Sequence, residues 1–203
     1  MTSSLSDRED LQIKSGNPST RLTVANLEQV QALFSEANLD YQLELIDGKI
    51  IVMNPSDLVS SEIGAQFASF LLNWVKPRQL GRVFNSSGGF ILPNSDIRAP
   101  DVSFVLAARL KQSKRYFAEL VPDLVVEIKS QSDRLKPLRD KIISFIEMGA
   151  NVGILIDPDK RTVTIYSPKA EPIVLTDGDM ISLPELLPGW EVPVTELWPI
   201  DFE

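Results

Sequence analysis

A single α+β domain, a mixed β-sheet flanked by helices, is the fold class that this sequence predicts. Three observations carry that prediction. In "YQLELIDGKIIVM" two apolar runs meet at Asp47-Gly48, the dipeptide a type I′ hairpin turn favours. From about Leu58 to Val75 the apolar residues Ile63, Phe67, Phe70 and Leu71 recur at helical spacing. Finally, "PDLVVEIKSQSDR" and "VGILID" read as strands on either side of a helical pattern.

The elements follow in order. Residues 1–20 are polar, rich in Ser and without periodicity, and are expected to form a disordered arm. The single domain then occupies 21–203. Thr23 is placed to cap a helix that carries Leu27, Val30 and Phe34 on one stripe. The hairpin comes next, then the long helix, which Pro77 closes. "GRVFN", "GGFIL" and "DVSFVL" are short strands separated by Gly, Asn and Pro turns. After the strand in "PDLVVEIK", Leu138, Ile142 and Phe145 mark a helix that ends near Gly149. "VGILID", Pro158-Asp159 and "TVTIYS" make a second hairpin towards the C-terminal end, followed by Pro-interrupted segments that finish in "ELWPI".

Composition narrows the chemistry. A chain of 203 residues buries a core without disulfides, and this one has no Cys and no His. Thiol nucleophiles, imidazole bases and His- or Cys-ligated zinc are therefore excluded. What remains are carboxylates, Lys, hydroxyls and hard metals that prefer oxygen. No apolar run reaches the roughly 20 residues of a membrane span, and the N-terminus has no signal-peptide core, so a cytoplasmic protein off the membrane is expected. The net charge of −8 argues at first against a nucleic-acid partner. Its distribution softens this. One base stands against eight acids from Lys169 onward, whereas Arg109 to Arg115 holds four bases and no acid.

Within "PDLVVEIKSQSDR", Glu127 and Lys129 interrupt an apolar run two positions apart, and on a strand such residues share a face. Either that face meets water in a cross-paired surface, or an acid and a base stand together for chemistry. Asp101, after Pro100 at the start of another strand, offers a second carboxylate. Two carboxylates from adjacent strands suit Mg²⁺, which keeps several waters and takes few protein ligands. A phosphodiester is a fitting substrate, with Lys129 orienting water or meeting developing charge.

Pro100-Asp101 followed by Glu127-Ile128-Lys129 resembles the PD-(D/E)xK signature of restriction-endonuclease-like nucleases. The blocks "LELIDGKIIVM", "GRVFNSSGGFILPNSDIRAPDVSFV", "PDLVVEIKSQSDRLKPLRDKI" and "GILIDPDKRTVTIYSP" resemble, in order, those of the Uma-two family, bacterial proteins classed as endonucleases of that superfamily. The resemblance runs from about Arg21 to Trp198. It implies a restriction-endonuclease-like fold and a metal-dependent endonuclease that hydrolyses DNA with Mg²⁺ or Mn²⁺. Asp101 and Glu127 would be the metal carboxylates and Lys129 the catalytic lysine. Many relatives carry no Lys at that third position, so the signature is complete here. Glu62 falls where the family often places Glu or His on the early helix, which makes it a further metal-ligand candidate. Read without the family, Glu62 belongs to a polar helix face with Gln66, Ser69 and Asn73.

Other positions have two readings each. Glu44 is a supporting acid or an edge-strand charge, and Lys141 a phosphate contact or an exposed helix lysine. Ser86-Ser87-Gly88-Gly89 is an anion nest or a plain loop. The bases of 109–115 are a DNA-backbone patch or a solvated face. The functional expectation is a DNA endonuclease, as a monomer or a homodimer. Its rival is a nuclease-fold protein that binds or regulates without cleaving.

Overall fold

The structure, a computed structural model, describes residues 21–39, 41–110, 112, 115–200 and 202. The expected N-terminal arm, residues 1–20, lies outside the described residues. The first elements are α1 (Val24–Glu36), β1 (Gln42–Ile46), β2 (Lys49–Met53) and α2 (Leu58–Val75). Short strands β3 (Gly81–Asn85), β4 (Phe90–Ile91) and β5 (Ile97–Arg98) lead into β6 (Val102–Leu106) and β7 (Leu124–Ile128). Then come α3 (Leu135–Glu147), β8 (Val152–Asp157), β9 (Thr162–Tyr166), β10 (Ile173–Leu175), β11 (Met180–Ser182), β12 (Glu191–Pro193) and a 3₁₀ turn at Val194–Leu197.

Six strands form one mixed sheet in the order β10-β9-β8-β7-β6-β3, in which only β7 and β8 run parallel. That parallel pair needs a crossover, and α3 supplies it. β7 lies inside this sheet with all five of its residues buried, which explains its nearly unbroken apolar run. Its faces divide by parity. Leu124, Val126 and Ile128 pack towards α2, whose Ile63, Phe67, Leu71 and Val75 are at most 1% exposed. Burying each such side chain contributes roughly 1.5–3 kcal/mol. Val125 packs with Phe145 of α3 on the opposite face, and Glu127 has the parity of Val125.

A smaller antiparallel sheet, β2-β1-β5-β4, carries α1 on a core of Leu27, Leu43, Leu45 and Ile97. The β1–β2 turn has φ of 50° at Asp47 and 72° at Gly48, as a type I′ turn requires. Leu43 and Leu45 face α1, so Gln42, Glu44 and Ile46 face the other way, into a cleft.

Three local devices fix that cleft. Asp57 caps α2 by accepting from Ser60 N–H at 2.9 Å, and its other oxygen accepts from Gln131 N–H at 2.8 Å. One carboxylate thereby joins the start of α2 to the loop after β7. Pro137 sits in the first turn of α3, where its missing N–H costs no helical bond. Gly153 of β8 lets α3 approach closely, since a Cβ there would stand 2.3 Å from Ile142 Cγ2. Among the described residues no helix is long and apolar enough to cross a membrane.

Candidate active site

The cleft, of about 1270 Å³, opens between α2 and the β1–β2 hairpin on one side and α3 with the end of β7 on the other. Asp101, Glu127, Glu44 and Lys141 all line it. Register explains the first two. β6 and β7 pair antiparallel with Val102 opposite Val126, so one step further brings Asp101 opposite Glu127 on the α3 side of the sheet. The ladder ends there, and a side chain continues it: Asp101 Oδ2 accepts the Ile128 N–H at 2.7 Å.

Glu44 arrives from β1 and is 2% exposed. Its Oε1 accepts the Ala99 N–H at 2.8 Å, which fixes the chain just before Pro100-Asp101. Lys141 reaches in from α3 between two acids, 3.0 Å from Glu127 Oε1 and 3.3 Å from Glu44 Oε1. Lys141 thus forms an ion pair with each of two buried acids.

Three carboxylates thus share one ammonium, and burial decides where the excess charge is suppressed. Burial raises the Glu127 pKa to about 8, with Lys141 opposing and Asp101 and Glu44 adding to the rise. Asp101 is raised as well, first by burial, against the pull of the Ile128 N–H and Lys141. Burial works against the Lys141 charge, but Glu127, Glu44 and Asp101 outweigh it, so its pKa stands above the ordinary lysine value. Glu127 and Asp101 are therefore both shifted towards their protonated forms, and they titrate as a coupled pair.

The other expected site residues sit elsewhere. Lys129 lies just past the end of β7, and its Nζ is 2.6 Å from Asp159 Oδ2 in the β8–β9 turn and 3.2 Å from the Ser130 carbonyl. The hydrogen bond to Asp159 raises its pKa, and the charges acting on it are those of Asp159, Asp157 and Asp133. It does not line the cleft. Glu62 is exposed on α2 and is also absent from the cleft lining. The reason is helical phase: Ile63 and Phe67 claim the sheet-facing stripe, and Gly64, Ala65 and Ala68 face the cleft.

Lys141 and Glu44, each left with two readings by the sequence, are both in the cleft. A signal existed for each. Glu44 alternates with two core leucines, and Lys141 lies on the stripe of Pro137 and Ser144 beside the apolar stripe of Ile142 and Phe145. Two minor candidates resolve differently. Asn85 accepts from Ser87 N–H through its side chain and from Gly88 N–H through its carbonyl, so 86–89 is a hydrogen-bonded turn. In the basic stretch, Arg109 pairs with Asp123 at 2.8 Å, while Lys111 and Lys114 lie outside the described residues.

The donor set fits a hard divalent cation. The acids on offer, Glu44, Asp101 and Glu127, are all hard carboxylate oxygens, and the three of them face the one ammonium of Lys141. Among the described residues no three acids converge as a self-sufficient cage.

A mixed sheet with α3 as its parallel crossover, and two acids opposed where β6 and β7 end, defines an α+β protein of the restriction-endonuclease-like class. The chain belongs to the Uma2 family, whose description is "Putative restriction endonuclease" and whose profile matches residues 27–195. Among solved structures, one titled a "putative nuclease belonging to DUF820" from Anabaena variabilis superposes with a TM-score of 0.69 at 24% identity, covering 81% of this chain and 96% of that one. The likeness establishes the shared fold. The DrdV–DNA complex aligns with a TM-score of 0.33 at 12% identity over 59% of this chain and 12% of that one, too slight to argue from. No curated protein matches.

Proposed function

We propose that the protein is a divalent-metal-dependent endonuclease that hydrolyses DNA phosphodiesters in the cytoplasm, with Asp101 and Glu127 as the ligands of Mg²⁺ or Mn²⁺. The observation that carries this reading is the meeting of buried Glu127 and half-buried Asp101 where β6 and β7 end, with both carboxylates lining the cleft. In net terms water adds across the ester bond: its oxygen bonds to phosphorus, and a proton goes to the leaving alkoxide. A bound ion would acidify water and offset phosphate charge.

The chain's own residues do the rest. Asp101 is held by the Ile128 N–H through one oxygen, leaving the other for a ligand. Glu44 fixes the approach to Asp101 through Ala99 N–H. Lys129 enters this reading only through its hold on the β8–β9 turn, and Glu62 does not enter it. All the groups used come from one chain, so the reading needs no second copy.

One observation favours a non-catalytic binding module. Lys141 already neutralises Glu127, so charge alone does not compel the site to take an ion. Incubation of supercoiled plasmid with Mg²⁺ or Mn²⁺, with and without EDTA, decides between the two. Metal-dependent nicking that Asp101→Ala and Glu127→Ala abolish supports the enzyme. No nicking, together with no heat of Mn²⁺ binding, supports the module.

A further inference from the structure

We propose that Lys141, delivered by α3, is the ammonium that serves the phosphodiester reaction, and that Lys129 of the strand signature holds the β8–β9 turn. This inference rests on the endonuclease reading above. Geometry separates the two lysines. Lys141 Nζ lies 3.0 Å from Glu127 and 3.3 Å from Glu44, with the Ala99 carbonyl at 3.5 Å. Its side chain is 13% exposed and lines the cleft. Lys129 spends its charge on Asp159 at 2.6 Å and its remaining contact on Ser130, outside the cleft lining.

An ammonium offers three N–H donors and no acceptor. Those of Lys141 have Glu127, Glu44 and the Ala99 carbonyl within reach. Lys141 thus stands beside one of the two carboxylates assigned to the ion, as an internal counter-cation. A divalent ion and the ammonium compete for Glu127. An ion held by Glu127 would draw that carboxylate from Lys141 and leave the ammonium an N–H to offer a phosphate oxygen in the cleft. There it donates to the negative charge that grows on phosphate. The same residue therefore weakens metal binding in the free protein and speeds turnover in the loaded one. No residue that merely packs the cleft would move those two quantities in opposite directions.

Its height over the site is set by the next residue, Ile142, which rests on Gly153.

The test compares full-length wild type, Lys141→Met, Lys141→Arg and Lys129→Met. Mn²⁺ binding is read by calorimetry without DNA, and cleavage is read on supercoiled plasmid with kcat and KM separated. Lys141→Met should lower kcat by roughly 100-fold or more, the cost of a lost transition-state donor. It should also tighten Mn²⁺ binding about ten-fold, because a cation has left an acid cluster. Lys141→Arg keeps the charge, so Mn²⁺ binding should stay near wild type while kcat falls. This arm answers the question if the Met variant fails to fold. The kcat loss in Lys141→Met must exceed that in Lys129→Met by at least about ten-fold. The reverse order, or a Lys141→Met protein with wild-type kcat, overturns this assignment and leaves the endonuclease intact. Wild type that neither binds Mn²⁺ nor cleaves overturns both.

Discussion

Lys141 Nζ stands 3.0 Å from Glu127 Oε1, so among the described residues the cation nearest the buried acid of β7 comes from the following helix. The strand itself supplies a lysine two residues after that acid, but β7 has ended there and the long side chain turns to Asp159. A helix packed on the sheet, instead of strand alternation, determines which ammonium enters the cleft.

The first prediction is a pH dependence of the metal-free protein. Glu127 has a folded pKa raised from 4.5 to about 8, so the native state holds a proton that the unfolded chain has released across that window. Stability is therefore greatest below the window and declines as pH rises through it. Asp101, also raised, acts with the same sign above its ordinary 3.8. Each unit of such a shift is about 1.4 kcal/mol, so the total fall is a few kcal/mol. Urea unfolding across a pH series should show the decline, and Glu127→Gln should flatten it. A wild-type curve that rises with pH would contradict the assignment.

Asp101 has two duties that substitution can separate. Asparagine keeps an oxygen for the buried Ile128 N–H, so Asp101→Asn should unfold close to wild type while losing Mn²⁺ binding. Asp101→Ala leaves that donor without a partner and should cost a further 1–3 kcal/mol or about that. Denaturant midpoints together with calorimetric metal titrations check both outcomes. Equal stability of the two variants would mean that the Ile128 bond contributes little.

Gly153→Ala places a methyl group where Ile142 Cγ2 is only 2.3 Å away. Ile142 is β-branched and cannot swing aside cheaply, so α3 must lift. Overpacking of this kind costs about 1–3 kcal/mol. The melting temperature should fall, and plasmid cleavage should fall with it because Lys141 rides on the same helix turn. An unaltered melting temperature would show that α3 tolerates the shift.

Asp123 offers a contrasting acid. Only 1% exposed, it accepts from Leu106 N–H at 2.9 Å, Arg109 at 2.8 Å and Asn151 at 3.0 Å. Asp123→Ala should destabilise the fold by about 3 kcal/mol, since it strands several donors. Mn²⁺ affinity of the folded fraction should stay as in wild type, because Asp123 does not line the cleft. A thermal melt and a metal titration on the same sample would show both.

Local signals carried most of the architecture. Asp47-Gly48 specifies its hairpin because both residues accept positive φ, and the Ile63, Phe67, Leu71 spacing specifies the buried side of α2. Pro100-Asp101 and Glu127 were legible as a pair because pairing of neighbouring strands brings their ends together. Lys141 and Glu44 were not. Glu44 belongs to a second sheet and Lys141 to a crossover helix, so their meeting depends on how layers pack, which no short spacing encodes. For Glu62, helix phase relative to the core mattered more than position in a motif.

The bond between Asp101 Oδ2 and the Ile128 N–H gives the molecule a built-in reporter. That amide belongs to the backbone of a buried strand, yet its acceptor is a side chain whose charge changes when a proton or an ion arrives. Protonation or ligation of Asp101 withdraws electron density from the shared oxygen and weakens the bond. The Ile128 resonance in a nitrogen–proton correlation spectrum should therefore move upfield in the proton dimension as the site fills, and its exchange with deuterium should quicken. Occupancy of the cleft can thus be followed at one backbone amide, without a substrate or an attached reporter group, in a chain that has neither cysteine nor histidine to serve as a probe.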